Sequence, residues 1–180
     1  MDRLDQVLDT AAPLLRQVDE VLHAAGAPAG HELWTHLRRV RLLPGDAARA
    51  VAALTPAAFT DAVPELRADA RACAETAAAL PAPGEWTGEA ADAYDDLRRR
   101  TAVRLSGGPD SLDERLDATA DLAQALTDWM TKARADLAAT LAVILTSHEA
   151  VTLTSVPPSP PGTPQVLAAA DVAARVLRDV

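Results

Sequence analysis

Residues 83–94 read PGEWTGEAADAY. A tryptophan sits in a Pro/Gly-punctuated gap with a glycine two positions on, and an alanine-rich amphipathic run follows at once. A bulky aromatic in a break between elements invites a question about the elements it separates.

Upstream, Phe59, Val63, Leu66, Ala70, Cys73, Ala77 and Leu80 recur in alternating steps of four and three. That is the seam of a helix lying along another helix. Thr55-Pro56 reads as an N-cap followed by proline at the first helical position, with Pro64 kinking or restarting the helix near its beginning. Downstream, a helix is expected from about Thr87 to Leu105, with Ala90, Tyr94, Leu97, Thr101 and Leu105 on one side. Thr87 is placed to cap it and Gly88 to allow a tight turn.

Composition points the same way. Of 180 residues, 49% are hydrophobic but only 3% aromatic, so alanine and leucine supply most of the apolar surface. Both favour helix over strand, and no segment alternates with period two. The expected fold class is all-α: an elongated antiparallel helical hairpin or bundle with a Trp-x-Gly turn.

Beyond the SGGPDS break at 106–111, Ser111 and Glu114 form a capping-box pattern. From it a helix of about 40 residues, or roughly 60 Å, is expected to reach Val151. Its stripe reads Leu112, Leu116, Thr119, Ala123, Leu126, Met130, Ala133, Leu137, Leu141, Ile144, His148 and Val151. A rod of that length outruns its neighbours in the chain, which marks Leu112, Leu116, Leu126, Met130, Leu137, Leu141 and Ile144 as a packing surface for a second protein.

Before the seam, Leu4, Leu8, Ala11, Leu15, Val18 and Leu22 make one helical stripe with a kink expected at Pro13. AGAPAG (25–30) ends it. A short helix over 31–42 carries Leu33, Trp34, Leu37 and Val40, and Asp46 is placed to cap another running to about Leu54. At the other end, SVPPSPPGTP (155–164) reads as a stiff Pro-rich linker, followed by a helix from Val166 to Val180. The expected division is 1–54, an N-terminal helical extension; 55–154, the hairpin region; 155–164, the linker; and 165–180, a C-terminal helix.

The chemistry suggested by isolated residues is weak. His31 and His36 in HELWTH are five apart, about 140° around a helix, whereas a shared zinc needs both imidazoles on one face. Asp92, Asp95 and Asp96 precede Arg99 and Arg100 at ion-pair spacing. SGGPDS has no strand before it and no lysine after it, so it is not a phosphate-binding loop. Cys73 lies on the apolar stripe and reads as a small buried hydrophobe. A net charge of −9 with a single lysine, Lys132, argues against nucleic acid. The lysine scarcity suggests a high-GC, actinobacterial genome. No enzymatic activity, cofactor or metal is expected; a metal protein using His31, His36 and the acidic cluster is the least favoured reading. The longest apolar run, 137–146, is about ten residues where a membrane span needs about 20. MDRLDQVLDT has no apolar leader core. Either the cytoplasm or export without a cleaved leader fits.

Trp86 and Gly88, followed by EAADAY between two amphipathic helices, resemble the WXG (ESX-like) proteins of type VII secretion systems. In that family a Trp-x-Gly turn joins two antiparallel helices, and two hairpins pack into a four-helix dimer. The likeness covers roughly residues 57–151. It implies a non-enzymatic protein that pairs with itself or with another helical protein, with Trp86, Gly88 and Tyr94 shaping the hairpin end. The chain departs from the family in three ways: the long N-terminal extension, the interruption at SGGPDS, and the export signal. That signal is a tyrosine followed four residues later by Asp or Glu; here Tyr94 is followed by Arg98. The alternative is a cytoplasmic adaptor or chaperone for a secreted effector or toxin.

Overall fold

A computed structural model of the chain describes residues 2–155 and 160–180. Among these residues the secondary structure is helical throughout: α1 (Arg3–Ala25), α2 (Leu33–Val40), α3 (Pro44–Ala52), a 3₁₀ turn (Pro56–Phe59), α4 (Ala62–Ala79), α5 (Glu89–Leu105), α6 (Leu112–Leu145), α7 (His148–Thr154) and α8 (Thr163–Arg178). The chain divides into two compact units, one of residues 1–55 with 129–180 and the other of residues 56–128. The division thus falls inside α6 rather than at its end. Of the expected 155–164 linker, residues 156–159 lie outside the described residues.

In the first unit α8 is the central element, packing against α1, α2, α3 and α7. Ala168, Ala169, Ala170, Val172, Ala173, Ala174, Val176 and Leu177 are all buried. A helix apolar nearly all round belongs in an interior, and the alanines let neighbouring helices approach closely. α1 contributes Leu4, Ala11, Leu14, Leu15, Val18, Val21 and Leu22 to the same core, and α6 contributes Leu137, Leu141 and Ile144. α1 runs unbroken through Pro13. Its Asp2 and Asp5 form a reciprocal N-terminal capping box, with Leu4 N–H donating to Asp2 Oδ1 at 3.1 Å and Asp2 N–H to Asp5 Oδ2 at 3.0 Å.

Two expected caps are corrected. α3 starts at Pro44, not after Asp46, and Asp46 instead pairs with Arg49 one turn on, at 2.5 Å. The first turn of α3 is met by Asp19 of α1, whose Oδ1 accepts from Gly45 N–H at 3.3 Å. Burial pushes the Asp19 carboxyl up. At the start of α6 the hydroxyl of Ser111 donates to Asp113 Oδ1 (2.5 Å), and Glu114 accepts from Asp110 N–H (3.0 Å). The N–H of Glu114, which a Ser111 cap would bind, donates instead to Asp113 Oδ1 at 2.8 Å, so the Ser111–Glu114 box gives way to an Asp113-centred arrangement. The Ser106 hydroxyl also donates to Asp113, and the two serines hold its carboxyl below the usual range.

The long helix is shorter than expected. α6 ends at Leu145, and α7 leaves it at an angle of 65°. Ser147 causes the break: its side chain caps α7 by accepting from Ala150 N–H at 3.3 Å, an alternative to continuing the helical ladder. The 34 residues of α6 span about 51 Å rather than 60 Å. The second unit is thinly packed. Val63, Ala120 and Ala123 form its small core, with Phe59 and Leu66 against them.

At the α5–α6 corner Gly108 is buried against the preceding helix. A Cβ there would lie 2.5 Å from Val103 Cγ1 and 2.6 Å from the Val103 carbonyl oxygen. Backbone cannot yield as a side-chain tip can, so Gly108→Ala is expected to destabilise the second unit by about 1–3 kcal/mol. Thermal unfolding followed by circular dichroism checks this; an unchanged transition would show that the corner opens freely.

Candidate interaction surface

The segment between α4 and α5, which pack against each other, is held by short-range polar contacts. Trp86 N–H donates to the Pro83 carbonyl at 3.2 Å, and the Tyr94 hydroxyl, from the second turn of α5, donates to the Pro81 carbonyl at 2.8 Å. Trp86 and Tyr94 rings lie 5.9 Å apart between centroids, tilted by 45°, a favourable aromatic pairing. Gly88 is the N-cap of α5 at φ 101°, a backbone region that side-chain-bearing residues avoid. Thr87 does not cap the helix, because Gly88 occupies the cap position and no side chain bonds there. Trp86 is 53% exposed, so its indole lies on Tyr94 rather than over the helix ends.

The inner face of α5 is also displaced from the expected one. Ala90 and Leu97 face outward, whereas Ala91 is buried and Tyr94, Asp95, Arg98, Thr101, Ala102 and Leu105 are half-buried. Tyr94, Thr101 and Leu105 lie on the expected side and the observed one; the ion pair between Asp95 and Arg98, at 2.7 Å, lets two charged residues take the inner position. The hydrogen bond from Arg98 is the main influence holding the Asp95 carboxyl below its usual range, and Arg99 adds to it.

Leu97, Val103, Leu112, Leu122, Leu126 and Trp86 are exposed in the second unit, while its buried residues include Val63, Ala70, Ala91, Ala120 and Ala123. The unit's core is small, Phe59 and Leu66 being only partly covered against Val63, and several large apolar groups are left on its surface. The packing surface read along α6 is therefore split. Leu112 and Leu126 are exposed, and Leu116 is half-buried beside Cys73 in a groove. Met130 is almost covered, and Leu137, Leu141 and Ile144 are wholly enclosed in the first unit's own core. Leu137, Leu141 and Ile144 are corrected from partner surface to interior, since α8 completes the core that encloses them, and Met130 is covered as well.

His31 does structural work. Its Nδ1 accepts from Leu33 N–H at 3.1 Å, which leaves the proton on Nε2 to donate to Asp171 at 3.1 Å. No group of three His, Cys, Asp or Glu side chains converges as a metal set among the described residues. A groove of about 260 Å³ in the first unit is lined by Thr140, Val143, Arg175 and Arg178 among others, with both guanidiniums engaged by Glu149 and Glu32. No single helix among the described residues is long and apolar enough to cross a membrane.

One residue escaped the sequence reading entirely. Arg134 of α6 is 8% exposed. Its Nε donates to Asp2 at 2.8 Å and Nη2 to Asp5 at 3.0 Å, while Nη1 reaches the carbonyls at the end of α3: Ala52, Leu54 (3.1 Å) and, at 3.4 Å, Val51. A single arginine amid a long amphipathic helix carries no local signal of such a role. The chain matches no protein-family model, no curated protein and no solved structure.

Proposed function

We propose that the protein acts by helix–helix association, as a WXG-like component or secreted partner of a type VII secretion system, with the second unit as its docking element. The observation that carries this reading is the exposure of Trp86, Leu97, Leu122 and Leu126 on that unit, beside a core of only Val63, Ala120 and Ala123 with Phe59 and Leu66 against them. The turn geometry is consistent with it. Trp86, Gly88 and Tyr94 shape the α4–α5 end of an antiparallel hairpin, where Gly88 supplies the φ that the turn requires. The partner is another helical protein, held without catalysis or cofactor.

Trp86→Ala combined with Gly88→Ala tests the reading. The variant is expected to keep its helical content by circular dichroism but to lose at least about tenfold in affinity for its helical partner and to fall in export. Unchanged association and export with the fold intact would refute the role of the turn. A second reading, an adaptor that stays in the cytoplasm with an effector, is favoured by one observation: the fourth residue after Tyr94 is Arg98, tied to Asp95. It predicts a chain absent from culture filtrate that co-purifies with a larger substrate.

A further inference from the structure

The outward face of α5 has an order of its own. Glu89, Ala93, Asp96, Arg100 and Val103 follow one another in steps of four, three, four and three, which places them on one stripe, with Leu97 and Arg104 beside it. All seven are exposed. The signs are segregated: Glu89, Asp92 and Asp96 occupy the first half of the helix, Arg99, Arg100 and Arg104 the second. Near the middle the charges are partly matched within the helix, where Arg99 reaches both Asp95 and Asp96. At the two ends they are not: Glu89, Asp92 and Arg104 have no ion-pair partner among the described residues.

An acidic partner would complement only the second half of this face, and a basic partner only the first. A helix with the same segregated pattern running the opposite way complements both, and this chain supplies one. We infer that α5 is the contact helix of a two-fold, antiparallel pairing of two copies of this chain, crossing near Leu97. In that arrangement Glu89 of one copy lies beside Arg104 of the other and Asp96 beside Arg100, each contact made twice by symmetry. The small Ala93 allows close approach and Leu97 meets its own symmetry mate. A parallel pairing would set like charges side by side. The shallow groove bounded by Arg99, Arg100, Val103 and Arg104, about 320 Å³, is where the acidic end of the partner helix would seat. The inference rests on the second unit being an association surface and names a second copy as its occupant.

Acidic residues early and basic residues late in a helix also complement the helix dipole, so the test must separate the two causes. Sedimentation equilibrium of the full chain is expected to show a monomer–dimer equilibrium that weakens with salt. Arg100→Glu with Arg104→Glu should raise the dimer dissociation constant at least about tenfold. Adding Glu89→Arg and Asp96→Arg to that variant sets four of the six charges, Glu89, Asp96, Arg100 and Arg104, against the dipole, yet restores the complementarity of these contacts between two identical antiparallel helices. The four-fold variant is therefore expected to self-associate again while failing to mix with the unsubstituted chain. Mixed dimers would indicate parallel pairing and overturn the inference, as would a variant that stays monomeric with its circular dichroism unchanged. An independent measurement needs no charge change: in a Cys73→Ser background, Leu97→Cys should form a disulfide-linked dimer on mild oxidation, because position 97 lies at the two-fold axis. Absence of that product overturns the pairing geometry. A chain that is monomeric at all concentrations but binds a different helical protein overturns this inference while leaving the proposed function standing.

Discussion

Val176→Asp is expected to unfold the first unit at ordinary temperatures. Val176 is wholly buried in α8, the helix around which α1, α2, α3 and α7 are arranged. An ionised carboxylate there would sit inside the first unit's apolar core, among aliphatic side chains. The cost is several kcal/mol even after the group protonates, on the order of the whole stability of a small domain, about 5–15 kcal/mol. Val180→Asp is the control, because Val180 is 37% exposed just past the helix end and a charge there remains hydrated. Circular dichroism and urea titration read both variants. A native-like transition for Val176→Asp would mean that α8 is peripheral and that the first unit's core lies elsewhere.

Arg134→Met should be the next most damaging change, at about 3–5 kcal/mol. Methionine keeps much of the side-chain stem but removes a nearly buried guanidinium that satisfies the α1 capping box and the last carbonyls of α3 together. The Ala52 and Leu54 carbonyls lose this donor, and Asp2 and Asp5 lose their cation. At about 2–4 °C per kcal/mol, the first-unit transition should fall by roughly 6–20 °C. The same contact gives a pH signature. Hydrogen bonds from Arg134 and Leu4 hold the Asp2 carboxyl below its ordinary value. A group whose pKa is depressed on folding adds stability above its unfolded pKa, about 3.9, and loses it as pH falls through the lower folded value. The unsubstituted chain should therefore lose part of its stability below about pH 4, and Arg134→Met should lose less over the same interval. Equal acid sensitivity in the two proteins would show that Asp2 is not held by Arg134.

The all-helical character was legible because alanine and leucine carry most of the apolar surface and because breaks such as AGAPAG and SGGPDS punctuate it. What was not legible depended on tertiary partners. The run from Val166 to Leu177 has only Asp171 and Arg175 as charges, so alanine masks which face is inward, and the Pro-rich stretch before it suggested an appendage. In place the helix is enclosed on nearly every side. The break before α7 had a local signal, Ser147 with Glu149 in the following turn, but the continuing spacing of Ile144, His148 and Val151 outweighed it. On α5, Tyr94, Thr101 and Leu105 fit two overlapping stripes. Only the packing of Ala91 and the Asp95–Arg98 pair decides between them, and the same choice turns Leu97 outward. Of the candidate site, the need for a glycine at position 88 was readable, and Gly88 sits at φ 101°. The exposure of Leu122 and Leu126 beside a small core of Val63, Ala120 and Ala123 was not, because it reflects what the second unit lacks rather than what any one residue contains.

The central claim is that the second unit docks on another helical protein of a type VII system. A photo-crosslinking residue at Leu122, which is 60% exposed, placed in the full chain within an actinobacterial host that carries such a system, tests it most directly. A covalent product with a small helical protein of that system or with a second copy of the chain is expected, lost in the Trp86→Ala, Gly88→Ala variant. A chain that remains uncrosslinked at position 122, while a probe at buried Leu141 gives the same null result and the fold is intact, would contradict it.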